Sequence, residues 1–310
     1  GVKNKMLSPT KGVHIVLRKQ DFPLNHAVFL QSPRDGRTVW PIPALDSDLV
    51  YVGTTDTYYE DSFDHVIATH EDIDYLLEVA NHTIPGRNLT YEHIVGTWAG
   101  LRPLVKPEGN LAASSVSREH EIFVSPNGLL NIAGGKLTTA RVMAYQVVDK
   151  AIELLGEKFG MHGLPTTSTD LNPLSGGDKA ELAQAEQMLP AVNMPEDVKG
   201  RLLEHYGGNF TQIAEIVQEN PDATRSLGGH KLTAAEVRYA IEDEMAMTVT
   251  DFFTRRASLF YWTSNGGLDT VDAVASEMGQ LLGWNERARK QQIDDYQRWV
   301  AENRFEPVSA

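Results

Sequence analysis

Hydrophobic positions fall in short dense runs near the start of the chain and at three- and four-residue intervals toward its end. The runs "GVHIVL", "AVFLQ", "RTVWPIP" and "LVYVGTT", within residues 12–55, are rich in Val, Ile, Tyr and Phe. Such residues suit a pleated strand surface. "SPRDGR" at 32–37 supplies a hairpin turn between two of them. Thr69 followed three residues later by Asp72 predicts a near capping box, and the helix it opens runs to a stop at Pro85-Gly86. Strands resume in "HIVGTWAGLRPL" and "EIFVS". "GLLNIA" at 128–133 then reads as a short buried strand, and Val142, Met143, Val147, Val148, Ala151, Ile152 and Leu155 recur at helical spacing. "AGGKLTTAR" (133–141) lies between them, so the pattern predicts a βα unit of an open α/β sheet.

Pro, Gly, Ser, Thr and Asn crowd residues 161–178, which marks a linker. Nearly everything beyond it reads helical: "KAELAQAEQML", "PEDVKGRLLEHYG" and "NFTQIAEIVQEN". Thr233 and Glu236 form a second capping box and open a longer helix that leads into "RYAIEDEMAMTVTDFFTRRASLFYW". The expected fold class is α+β. A mixed α/β part with a large mixed sheet (1–165) is followed by a linker (166–178) and an all-helical C-terminal domain (179–310).

Composition narrows the chemistry. The 310 residues include no cysteine, which excludes disulfides, thiol catalysis, iron–sulfur clusters and cysteine zinc sites. No apolar run approaches the roughly 18–20 residues of a membrane span. A net charge of −14 and no basic run argue against nucleic acid as a partner. A local basic pocket for a small anion remains compatible with that charge.

The Gly-Gly-Lys stretch is not a phosphate-binding Walker loop. That loop needs Gly, four residues, then Gly-Lys-Ser/Thr; here Leu130 occupies the first position and Leu137 follows the lysine. What remains is a helix start near Leu137 or Thr138 with free N–H groups, two glycines that permit close approach, and the charge of Lys136. A plain βα turn with a solvated lysine is the equal alternative. Arg102 ends an apolar strand before Pro103 and needs an anionic partner, either a structural carboxylate or a ligand. Arg118 is a surface arginine paired with Glu119 or Glu121, or a further anion contact. His14 projects from a strand, as a packed core residue or a catalytic one. The histidines show no metal-ligand spacing, so no metal is expected. Arg255 and Arg256, inside "DFFTRRASLFYW", read as snorkelling arginines on a core helix.

Several segments together resemble the FAD-dependent glycerol-3-phosphate dehydrogenases. They are "TKGVHIVL" (10–17), "YVGTTDT" (51–57), "WAGLRPL" (98–104), "SREHEIF" (117–123), "LLNIAGGKLTTAR" (129–141) and "EVRYAIEDEMAMTVTDFFTRRASLFY" (236–261). The resemblance implies oxidation of sn-glycerol 3-phosphate to dihydroxyacetone phosphate by hydride transfer to FAD, with electrons passed to a quinone. It implies catalytic roles for Arg102, Lys136 and His14, and substrate contacts for Arg102, Arg118 and Lys136. It implies cofactor contacts at Gly134, Gly135, Lys136, Leu137 and Thr138. A cytoplasmic location, peripheral contact with the inner face of the cell membrane, and a homo-oligomer are further expectations. The Gly-x-Gly-x-x-Gly fingerprint of an ADP-binding turn does not occur in these residues. The expectation is therefore a C-terminal portion of such an enzyme, inactive alone. Two rivals stand beside it: an oxidase that uses oxygen, and a helical interaction module whose surface is "DFFTRRASLFYW".

Overall fold

Val13, Ile15 and Leu17 alternate with Gly12, His14 and Val16 along β1 (Thr10–Arg18), so the strand sends one set of side chains to each face. The structure, a computed structural model, describes residues 6–44, 47–84, 86–106 and 116–304. β1 lies at the centre of a six-stranded sheet with β2 (Leu30–Gln31), β3 (Thr38–Pro43), β4 (Leu49–Gly53), β5 (Thr57–Tyr58) and β6 (Ile94–Arg102). β4 and β6 flank β1, β5 pairs with its first residues, and every registered pairing is antiparallel. The "AVFLQ" run shrinks to two residues because β3 carries Pro41 and Pro43. Val28 still donates to the Pro41 carbonyl at 3.2 Å, but a proline has no N–H to return the bond.

The odd-numbered face of β1 is the core face. Val13, Ile15 and Leu17 pack with Val39, Val50 and Val52 against Ile73, Leu76, Leu77, Val79 and Ala80 of α1 (His70–Thr83). Thr69 caps α1 as expected. Its hydroxyl accepts from the Asp72 N–H, and the Asp72 carboxylate accepts the Thr69 N–H at 3.0 Å. The same carboxylate receives Lys11 Nζ at 2.6 Å, with both side chains buried. One acid thus holds the helix start and the sheet together. The helix ends at Thr83, and the expected stop at Pro85 lies outside the described residues.

The expected buried βα unit takes another form. β7 (His120–Val124) and β8 (Leu130–Gly134) make a separate two-stranded antiparallel sheet. α2 (Ala140–Phe159) follows, and no residue of it is buried. Leu129, Ile132, Val142 and Val148 are exposed. Apolar spacing records what a segment is able to bury, and among the described residues nothing covers these.

The chain divides into two units. The first runs to Leu171 and includes Asn303 and Arg304. The second, Asn172–Glu302, is helical: α3 (Lys179–Met188), α4 (Glu196–Tyr206), α5 (Phe210–Glu219), α6 (Ala234–Glu242), α7 (Val249–Asp251), α8 (Leu259–Trp262), α9 (Val271–Leu282) and all but the last residue of α10 (Glu286–Asn303). Leu202, Phe210, Ile213 and Ala214 centre one of its cores. The Thr233–Glu236 capping box opens α6, but the expected long helix breaks. Met245 takes a φ of 57°, Thr248 caps a new start on Asp251, and Phe252–Arg256 winds as a π-turn. Phe252, Phe253, Leu259 and Phe260 are buried, so "DFFTRRASLFYW" is core and not an apolar docking surface. Arg255 is paired with Asp251, and Arg256 with Glu244. No helix among the described residues is long and apolar enough to cross a membrane.

Asp72→Ala removes the carboxylate half of the capping box and strands Lys11 without its partner. The expected cost is about 3–5 kcal/mol, read as a lowered melting temperature with α1 losing amide protection first. A melt within a degree of the parent would contradict this role.

Candidate functional site

The even-numbered face of the sheet carries the site. Trp98, His14, Gly53 and Trp40 stand in one row across β6, β1, β4 and β3. The His14 ring stacks on Trp98 with centroids 5.1 Å apart, and Tyr51 meets it edge-on at 5.9 Å. The ring lies over Gly53, where a Cβ would stand only 2.0 Å from His14 Cδ2. The Arg102 guanidinium likewise lies over Gly12, where a Cβ would sit 2.6–2.7 Å from its terminal nitrogens. Two glycines therefore bare the sheet for these two side chains. His14, Trp40, Tyr51, Gly53 and Arg102 line an open cleft of about 540 Å³ with Arg37 and Arg118.

β4 ends at Gly53, and the next residues bind back onto β1. Val13 N–H donates to Thr55 Oγ1 at 3.0 Å. This sets Asp56, a buried acid, against the end of β6. Arg102 Nη1 donates to Asp56 Oδ1 at 3.2 Å, and Arg102 Nη2 to Thr54 Oγ1 at 3.2 Å. Arg118 Nη2 donates to Asp56 Oδ2 at 3.0 Å. Arg37, from the hairpin turn, donates to the Asp56 carbonyl at 2.8 Å and pairs with Asp35. Three arginines face two aspartates here, so the cleft is locally cationic within an acidic chain.

Burial, aided by the charge of Arg102, lowers the His14 pKa from an ordinary 6.5 to about 4. The ring is thus neutral across the physiological range. Its Nδ1 is buried without a hydrogen-bond partner among the described residues. Burial also pushes the Arg102 pKa down and Arg118 adds to this, while Asp56 opposes it. No group of acids and histidines among the described residues is arranged to hold a metal ion.

Two family models match the chain in succession. The model of FAD dependent oxidoreductases matches residues 1–149, and that of the C-terminal domain of alpha-glycerophosphate oxidase matches 167–289. Residues 1–149 belong to the FAD-dependent oxidoreductase family. It is 36% identical over 290 residues to the aerobic glycerol-3-phosphate dehydrogenase of Staphylococcus haemolyticus, covering 91% of this chain and 51% of that protein. The enzyme of the same name from Staphylococcus aureus is 37% identical over 292 residues, with the same coverage. The X-ray structure of the glycerol-3-phosphate dehydrogenase from Bacillus halodurans, complexed with FAD, superposes with a TM-score of 0.80 at 28% identity. That match covers 98% of this chain and 58% of the other. The chain spans about half the length of the relatives it matches.

Of the residues singled out in the sequence, His14, Arg102 and Arg118 converge on the cleft. Arg118 pairs with Asp56, not with Glu119 or Glu121 as its surface alternative required. Lys136 does not line the cleft. It is half exposed and stands 3.9 Å from Glu119. Gly134 and Gly135 take φ of 75° and 92°, and their missing Cβ atoms make room for the Glu119 carbonyl and for Met143. Both glycines are therefore required by the turn's own packing. Leu137 and Thr138 are exposed, and neither the short 3-10 turn Leu137–Thr139 nor α2 has a side-chain cap. Sequence reasoning missed Asp56 and Arg37. Asp56 sat inside "YVGTTDT", and Arg37 was read only as part of a turn.

An NMR titration of the His14 imidazole should turn near pH 4. The native ring resists protonation and the unfolded ring does not, so stability conferred at neutral pH is lost as pH falls from about 6.5 toward 4. A midpoint above 6 would contradict the burial and charge described.

Proposed function

We propose that this chain supplies the substrate-binding part of an FAD-dependent glycerol-3-phosphate dehydrogenase, which oxidises sn-glycerol 3-phosphate to dihydroxyacetone phosphate. The observation that carries the reading is the convergence of His14, Arg102 and Arg118 on one glycine-bared sheet face. Cations and a neutral imidazole meet there, as an anionic polyol requires. Arg102 and Arg118 present guanidinium donors to the substrate's oxygens. His14 Nε2 accepts the proton of the C2 hydroxyl. An anion beside Arg102 offsets the charge that helps depress the His14 pKa, so substrate binding makes the ring a better base.

FAD belongs to the same reading. The Gly134–Thr138 turn fits it through a helix start with no side-chain cap and a half-exposed lysine, a donor set suited to an electron-rich ring edge or phosphate. When bound, the flavin would supply the hydride acceptor. In this reading Lys136 and the N–H groups of Leu137 and Thr138 would hold it. Quinone as the electron acceptor, with peripheral membrane contact, completes the proposal. Oxygen consumed in step with glycerol 3-phosphate would replace quinone by the oxidase chemistry named in the C-terminal family model.

Titration with glycerol 3-phosphate should give a saturable change in fluorescence from Trp40 and Trp98, while glycerol should give none. Arg102→Ala should weaken binding about tenfold to a hundredfold, the worth of a hydrogen bond to a charged group. Gly12→Ala should reproduce much of that loss with the strand intact, since its Cβ displaces the guanidinium. Equal response to glycerol, or an Arg102→Ala variant that binds as the parent does, would overturn the reading.

A further inference from the structure

We propose that Asp56 is a positioning residue that sets the spacing and aim of Arg102 and Arg118 for an organic phosphate; this rests on the substrate reading above. Its carboxylate is buried and fully engaged, one oxygen to each guanidinium at 3.2 and 3.0 Å. Its backbone is fixed on two sides, by Arg37 at its carbonyl and by the neighbouring Thr55, which is hydrogen-bonded to Val13 of β1. The two arginines come from separate elements, the end of β6 and the segment before β7. Asp56 is the carboxylate that both of them share. Like charges held this near each other repel, and a shared acid between them removes that cost. The result is a fixed pair of guanidinium forks, both on the lining of the cleft.

Charge alone and positioning give opposite forecasts. Removing a negative group from a cationic cleft should tighten binding of an anion if Asp56 were only a counter-ion. Asparagine keeps one acceptor oxygen but turns an NH₂ toward the second guanidinium, so the positioning role forecasts weaker binding. Arg118 should be the arm that is lost, because it is the more exposed of the two.

The test uses the full chain, with Asp56→Asn, Arg118→Ala and the double variant. Arginine side-chain Nε–H resonances are recorded without ligand, followed by titrations with inorganic phosphate and glycerol 3-phosphate. In Asp56→Asn the Arg118 resonance should move to the free-arginine position. Glycerol 3-phosphate should bind at least tenfold more weakly. The double variant should lose no more than Arg118→Ala alone, the mark of two residues acting as one unit. Arg118→Ala, altered at a half-exposed site, secures the comparison if Asp56→Asn folds poorly. Unmoved resonances, tighter binding in Asp56→Asn, or additive losses would overturn the proposal. Binding of inorganic phosphate that depends on Asp56, without binding of glycerol 3-phosphate, would support the positioning role and overturn the substrate reading instead.

Discussion

The two-residue alternation of β1 governs everything built on the first unit. One face must be apolar to meet α1, and Val13, Ile15 and Leu17 meet it there. The other face is then free of that demand, and polar groups stand on it at little cost to the core. Burying either β-strand face in the wrong register would exchange His14 for Val13, so the core fixes the site's geometry as firmly as the site's own contacts do. Lys11 and Asp72 tie the same strand to the helix start, which keeps that register in place.

On this platform the cleft is made by subtraction as well as by side chains. Gly12 and Gly53 leave the sheet bare where Arg102 and His14 need to lie flat. Asp56 then gathers arginines that the chain supplies far apart. The outcome is a neutral imidazole beside paired cations in a protein whose overall charge is strongly negative. That contrast favours a small anion and disfavours a polyanion such as nucleic acid.

Local signals were legible in the sequence, and distant ones were not. The caps at Thr69–Asp72 and Thr233–Glu236 span three residues, and both formed as read. The strands around His14 and before Arg102 followed their composition. The break after α6 was missed although Thr248 and Asp251 repeat the capping spacing, because the dense apolar stretch that follows masked it. The pairing of Asp56 with Arg102 and Arg118 spans 46 and 62 residues, and no local pattern encodes it. The β8–α2 segment was read correctly as strand, turn and helix, yet its burial was not legible, since periodicity says nothing of what covers a face. The resemblance brought His14, Arg102 and Arg118 forward; it passed over Asp56, whose importance lies in what it holds.

The most direct test of the central claim is a crystal structure of this protein with glycerol 3-phosphate. The account predicts the molecule in the cleft, its anionic end on Arg102 and Arg118, and a hydroxyl at His14 Nε2. Density at the start of α2 with an empty cleft, or a phosphate turned away from the arginine pair, would contradict it.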